Sequence, residues 1–202
     1  ALRYGMLPRF WSEDMTEIDK QRALYAYVDT YLKEEVAAEQ LVRDLEPFRR
    51  FLSVAAQMNT EVINFAKVER DASLGASQAR KHFEILSDTL IGRFLEPFHY
   101  SVRKRQEQKS KFYFFDTGVI RALNLLAGES LTPSTYEYGS LFETFIINEF
   151  FKISDSLEKK WKFSYLRTGA GLEIDFIIEK PRSEFVLIEI KSSTTIKQEY
   201  LK

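Results

Sequence analysis

The chain has no cysteine. That absence excludes a disulfide scaffold, a thiolate nucleophile and a cysteine-ligated zinc site. Histidine is nearly missing too, with His82 and His99 the two imidazoles, so any metal would sit among oxygen ligands. No apolar run approaches the roughly 18 residues that a membrane span needs, and the opening stretch ALRYGMLPRFW lacks the pattern of a signal peptide. A cytoplasmic chain with no membrane partner is the expectation. The formal net charge of −1 gives no whole-chain field toward nucleic acid or acidic lipid, so a basic surface has to be local. The first residue is Ala1 and the last stretch, TTIKQEYLK, stops inside what reads as a starting helix, the pattern expected of a fragment at both ends.

What is present is ample apolar material: 202 residues, 45% hydrophobic and 14% aromatic, enough for one large or two small cores. From Asp19 to Glu39, Leu24, Val28, Tyr31 and Leu32 recur at helical spacing; from Glu39 to Met58, so do Leu41, Leu45, Phe48, Leu52 and Ala55. A shorter helix is predicted from Glu61 to about Ala72. The break SLGAS follows, with Gly75 suited to a φ > 0 turn. Ser77 then reads as N-cap of a helix with Ala79, Phe83, Leu86 and Leu90 inward.

Two short β-runs, LIGRFLEPF and KFYFFD, flank the charged segment HYSVRKRQEQKS. Three helices capped by a two-stranded ribbon is the winged-helix order. On the last helix Arg80 and Lys81 could meet phosphates or bases, and as readily form a solvated face with Gln78 and Glu84. Arg103, Lys104, Arg105, Lys109 and Lys111 make the densest basic cluster, where a phosphate-tracking wing would lie; a solvated loop is the alternative. FDTGVIRALNLLAG begins a helix capped by Asp116 or Thr117 and ending near Gly128. ESLTPSTYEYG is the clearest linker and marks a domain boundary.

Beyond it come a helix, SLFETFIINEFFKI, and three strands, KFSYLRT, LEIDFIIE and EFVLIEIKSS, joined by TGAG and KPRS as an antiparallel meander. Glu143 shares an apolar helical stripe with Ile146, Ile147 and Phe150, so this acid needs a partner. In the second strand Leu172, Ile174, Phe176 and Ile178 share one face and Glu173, Asp175 and Ile177 the other. In the third, Val186, Ile188 and Ile190 oppose Leu187, Glu189 and Lys191. A turn near Pro181–Arg182 sets Asp175 opposite Glu189 and Glu173 near Lys191. Facing carboxylates repel. Lys191 or a divalent cation could neutralise them, and magnesium commonly takes one or two carboxylates plus water.

Glu143, Asp175 and the run Glu189-Ile190-Lys191 resemble the E…D…ExK signature of the PD-(D/E)xK nuclease superfamily. The resemblance implies an αβββαβ core, of which the chain would hold the αβββ part. It also implies Mg²⁺ on Glu143, Asp175 and Glu189, with Lys191 orienting the attacking water. A wider resemblance runs through LRYGMLP, YVDTYLKEEV, RDLEPFRRFLSVAAQ, VINFAKV, FEILSDTLI, FYFFDTG, YGSLFETFIINEF, YLRTGAGLEIDFII and IEIKSS. In this order they are similar to the C-terminal half of prokaryotic AAA-type ATPases carrying the domain of unknown function 4143. That implies a P-loop domain ahead of Ala1. The chain itself has no G-x-x-x-x-G-K-[ST], so ATP would bind only through that absent domain. Arg3 would then be a phosphate sensor in the tail of the ATPase lid.

The expected class is therefore α+β: residues 1–38 the lid tail and connecting helix, 39–130 a winged-helix domain, and 131–202 a restriction-endonuclease-like αβββ domain incomplete at its C-terminus. The expected function is DNA binding (Arg80, Lys81, Arg103, Lys104, Arg105) with a candidate Mg²⁺-dependent phosphodiester-hydrolysis site (catalytic Lys191, Asp175, Glu189). Its own N-terminal ATPase domain, DNA and further copies of the chain are the expected partners. The alternatives are a salt-bridged, non-catalytic nuclease-like fold, with Arg167 paired to Glu173, and a protein-interaction or regulatory module of the ATPase that meets no DNA.

Overall fold

The computed structural model describes residues 1–12, 14–31, 42, 44–99, 109–169 and 171–193. Among them the chain is mixed α+β: α1 (Glu17–Thr30), α2 (Leu45–Gln57), α3 (Phe65–Ala72), α4 (Ala76–Asp88), β1 (Gly92–Pro97), β2 (Lys111–Phe114), α5 (Thr117–Leu123), α6 (Tyr136–Ser156), β3 (Lys162–Arg167), β4 (Glu173–Lys180) and β5 (Glu184–Ile188). The strands form one mixed sheet in the order β2-β1-β3-β4-β5. The β1–β2 hairpin and the β3-β4-β5 meander are antiparallel, and a short parallel pairing, Glu96 with Ser164 and Pro97 with Tyr165, joins them. The sheet thus continues across the linker.

Alternation along β2 gives the hairpin two apolar faces. Phe112 and Phe114 enter a core with Phe48, Phe51, Leu52, Phe83 and Leu86 of the helices. Tyr113, with Leu95 of β1, enters the other, with Ile147, Phe176 and Ile178. The outer edge of β2 is closed at Phe114 by side chains: the Phe114 N–H donates to Asn59 Oδ1 (3.0 Å), and Asn148 Nδ2 donates to the Phe114 carbonyl (2.8 Å). Asn59 Nδ2 also donates to Thr144 Oγ1 (2.6 Å), so α6 is hung on this edge.

The helices begin and end where local chemistry dictates. Asp116 caps α5 by accepting from the N–H groups of Gly118 and Val119, and its other oxygen accepts from Met6 N–H at 2.6 Å. Gly5, at φ 78°, lies so close that an added Cβ would meet this carboxylate. Four boundaries differ from the sequence expectation. Helix α2 starts at Leu45, behind the Asp44 cap, and not at Glu39. Helix α3 starts at Phe65, because Val62 bridges to Lys111 and the Ile63 N–H donates to the Ser110 carbonyl, which draws 62–63 onto the sheet. Gly75, and not Ser77, is the N-cap of α4; its φ is −65°, and the left-handed turn is taken by Ser73 at φ 54° as C-cap of α3. Helix α5 stops at Leu123, well before Gly128, because the buried Arg121 guanidinium binds the carbonyls of Leu126 (2.5 Å) and Glu129 (2.7 Å) and turns the chain. The extension of the first helix beyond Tyr31 and the final helix in 194–202 lie outside the described residues.

His82 of α4 is buried edge-on between the rings of Phe48 and Phe51, its Nδ1 without a hydrogen-bond partner. Burial, helped by the charge of Lys81, pushes its pKa down to about 4. Between pH 6.5 and 4 the unfolded chain therefore binds a proton that the folded chain does not, so stability is full above pH 6.5 and falls as pH drops toward 4. The loss is expected to reach roughly 3 kcal/mol, and His82→Leu is expected to flatten it. Denaturant unfolding at pH 7 and pH 4.5 checks this.

Candidate acidic site at the sheet

Helix α6 packs on the sheet through Phe150 and Phe151 against Phe176. Strict alternation would keep Glu173 and Asp175 on the opposite face from Phe176. The β3–β4 register shifts: Ser164 pairs with Ile177 and Leu166 with Ile174, so β4 carries one more residue than β3, at Asp175–Phe176. A bulge of this kind re-aims side chains. Here the alternation that the sequence suggests is interrupted, and Glu143 of α6 lies within the electrostatic reach of both Asp175 and Glu173.

The β4–β5 ladder runs to Phe176 opposite Ile188, a register that continued by one pair sets Asp175 against Glu189. Where it stops, the Asp175 carboxylate replaces a backbone acceptor and takes the Ile190 N–H at 2.8 Å. Lys191 Nζ then sits 3.7 Å from Asp175 Oδ2 and in closer contact with Glu189 Oε1. Burial works to lower the Lys191 pKa, but the hydrogen bond to Glu189 and the charges of Asp175, Glu189 and Glu143 outweigh it and raise the value. Lys191 is therefore a fixed ammonium, fit to bridge carboxylates or orient an anion and unfit to be a base.

Lys111 also belongs here. It is buried, 4% exposed, and not part of a solvated wing. Its Nζ lies 3.4 Å from Glu173 Oε1 and 3.7 Å from Glu143 Oε1. Tyr113, on the same face of β2, donates its hydroxyl to Glu143 Oε1 at 2.6 Å. Burial pushes the Glu143 carboxyl up, Lys111 and the Tyr113 hydroxyl pull it back, and Asp175 and Glu173 push it up again; the net direction is up. Burial and Glu143 hold the Tyr113 phenol well above its ordinary value. Glu173 is thus paired with Lys111, while Arg167, its expected partner, stands opposite it in the β3–β4 register. Sequence reading missed Lys111 and Tyr113 as site residues. The signal was the alternation in KFYF, which sets both opposite Phe112 and Phe114.

The structure brings Glu143, Asp175, Glu189 and Lys191 together. Arg80 and Lys81 are exposed on α4, with the Arg80 guanidinium 4.7 Å over the ring of Phe65. Arg103, Lys104 and Arg105 lie outside the described residues. Arg3 is engaged by Glu17 at 2.8 Å. The donors near Asp175 are hard oxygens of the kind Mg²⁺ takes, but they are arranged around two ammonium groups. Among the described residues, no three Asp, Glu or His side chains are grouped so as to hold a metal ion. A divalent cation does not fit the arrangement as it stands.

The chain belongs to the family described as domain of unknown function DUF8612, whose model matches residues 1–130. A second model, domain of unknown function DUF4143, matches residues 138–202. The likeness to the latter is thus confined to the part beyond the linker. Uncharacterized protein Rv2008c of Mycobacterium tuberculosis and uncharacterized protein Mb2031c of Mycobacterium bovis are each 24% identical over 194 residues. The match covers 96% of this chain and 42% of either relative, so the chain spans less than half the length of the curated relatives it matches. No solved structure matches the chain. No helix among the described residues is long and apolar enough to cross a membrane.

If Asp175 holds the end of the ladder, Asp175→Ala strands the Ile190 N–H and is expected to cost about 1–3 kcal/mol. Asp175→Asn keeps an acceptor there, and Lys191 keeps Glu189, so its cost is expected to be about 1 kcal/mol or less. Thermal melts of the two variants beside wild type rank them.

Proposed function

We propose that the chain is the C-terminal portion of an AAA-type ATPase, a winged-helix module followed by a nuclease-like αβββ unit that serves the ATPase as a non-catalytic interaction or regulatory module. The observation that carries the non-catalytic reading is Lys191. It bridges Asp175 and Glu189, two of the three carboxylates that the nuclease resemblance assigns to a metal. Three further features support the wider reading: the helix-helix-helix-hairpin order of α2 to β2, the α6-β3-β4-β5 order with an antiparallel meander, and the share of the longer relatives that the chain covers.

The second reading, Mg²⁺-dependent phosphodiester hydrolysis, has its own support in the convergence of Glu143, Asp175, Glu189 and Lys191 at one end of the sheet. Calorimetric titration of the wild-type chain with Mg²⁺ separates the two. The expected result is no binding heat and no change in melting temperature, and saturable binding would replace the first reading by the second.

DNA binding belongs to the winged-helix part of the proposal. With a net charge of −1, attraction to DNA has to come from a local patch, and the candidates are Arg80, Lys81 and the cluster Arg103, Lys104 and Arg105. Alanine at the last three positions is expected to flatten the slope of log affinity against log salt by up to about three phosphate contacts. Fluorescence anisotropy with a labelled duplex over a salt series measures it. An unchanged slope removes that cluster from the contact surface.

A further inference from the structure

We infer that Lys111 is the resident counter-cation of the acidic site, supplied by the hairpin in place of a divalent metal, so that docking of the hairpin is what keeps the site closed to metal. The inference rests on the non-catalytic, ammonium-bridged reading of the site and names what controls it.

A buried ammonium persists only when paired, and removing one member of such a pair strands the other. Lys111 is 4% exposed, and its partners come from two separate elements, Glu143 of α6 and Glu173 of β4. The cation comes from the span that matches DUF8612 and both acids from the span that matches DUF4143. The two spans thus complete one charge cluster. Its carboxylates are Glu143, Glu173, Asp175 and Glu189, and its ammonium groups Lys111 and Lys191. Without Lys111, four carboxylates face a single lysine, and the pair Lys111 had held, Glu143 and Glu173, loses its cation while Asp175 still repels Glu143.

Tyr165 of β3 seats the lysine and the backbone just before it. The Lys111 Nζ lies 5.3 Å from the centre of the Tyr165 ring, and the Tyr165 hydroxyl donates to the Lys109 carbonyl at 2.5 Å. Tyr113, one alternation further along β2, fixes the Glu143 carboxylate that Lys111 meets. Lys111 is therefore held at both ends, by strand pairing with Leu95 and by the acids. A freely solvated lysine would compete poorly with a divalent ion for the two carboxylates; one delivered by a β-strand has little entropy left to lose.

Thermal melts of wild type, Lys111→Met, Lys111→Arg and the charge-neutral double variant Lys111→Met/Glu143→Gln, each with and without millimolar Mg²⁺, test this. Lys111→Met is expected to melt about 10 °C lower, to recover part of that loss on adding Mg²⁺, and to be stabilised by the added Glu143→Gln. Lys111→Arg and wild type are expected to ignore Mg²⁺. If Lys111→Met melts like wild type, or its loss is indifferent to either Mg²⁺ or Glu143→Gln, the inference falls. If Lys111→Met does not fold, a folded double variant sustains the inference and an unfolded one overturns it. Stabilisation of the wild type itself by Mg²⁺ would instead sink the non-catalytic reading on which the inference stands.

Discussion

The constraint on which the rest depends is that one hairpin serves two cores. Four residues of β2 are all buried, yet they are not alike: Phe112 and Phe114 fill the helical side, Lys111 and Tyr113 the side of α6. A slip of one residue in the β1–β2 register would carry a lysine into a cluster of phenylalanines and two phenylalanines into a cluster of carboxylates. Both errors are costly, the first because an unpaired ammonium would be buried and the second because Glu143 and Glu173 would lose their cation. The register is therefore specified from both faces, and with it the position at which β3 joins β1.

The same strand explains how α6 is placed. An edge strand leaves backbone groups without partners, and here Asn59 and Asn148 complete them while Asn59 also binds Thr144. Thr144 and Asn148 lie one turn apart on α6, and Glu143 is next to Thr144. Once the amide side chains have closed the edge of β2, the neighbouring carboxylate is delivered beside Tyr113 and Lys111 with little freedom left. The hydrogen bonds that finish the sheet thus also build the site, which is why a buried acid on an apolar helical stripe is tolerated at all.

Much of this was legible in the residues. Periodicity gave the helices, the two short aromatic runs gave the hairpin, and the turn at Pro181–Arg182 gave the register that sets Asp175 toward Glu189, because each of these signals is local. The misses share a physical origin in contacts far along the chain. Helix α3 loses its first turn because Val62 and Ile63 are claimed by the sheet edge, and α5 ends early because Arg121 reaches the carbonyls of Leu126 and Glu129. The bulge at Asp175–Phe176 is set by pairing with β3 and leaves no mark in LEIDFIIE itself. Lys111 was read with the basic run before it, since sequence proximity to Arg103 and Lys109 says nothing of burial; its placement needs the strand, the sheet order and α6 together.

The two lysines of the site differ in what binds them there. Lys191 follows the last strand, and its pairing with Asp175 and Glu189 is settled once β5 lies along β4; its side chain is 39% exposed, so water competes for each contact. Lys111 is almost wholly shielded and arrives from a strand more than thirty residues before the nearest acid it meets. In a low-dielectric setting the same ionic contact is stronger and its absence far more damaging. The exposed lysine can therefore give way locally without disturbing the sheet, whereas the buried one cannot leave without the hairpin moving with it. Charge compensation at the acidic site is in this sense a consequence of how the helical part and the αβββ part share a sheet, and a change in that sharing that moves β2 carries Lys111 with it.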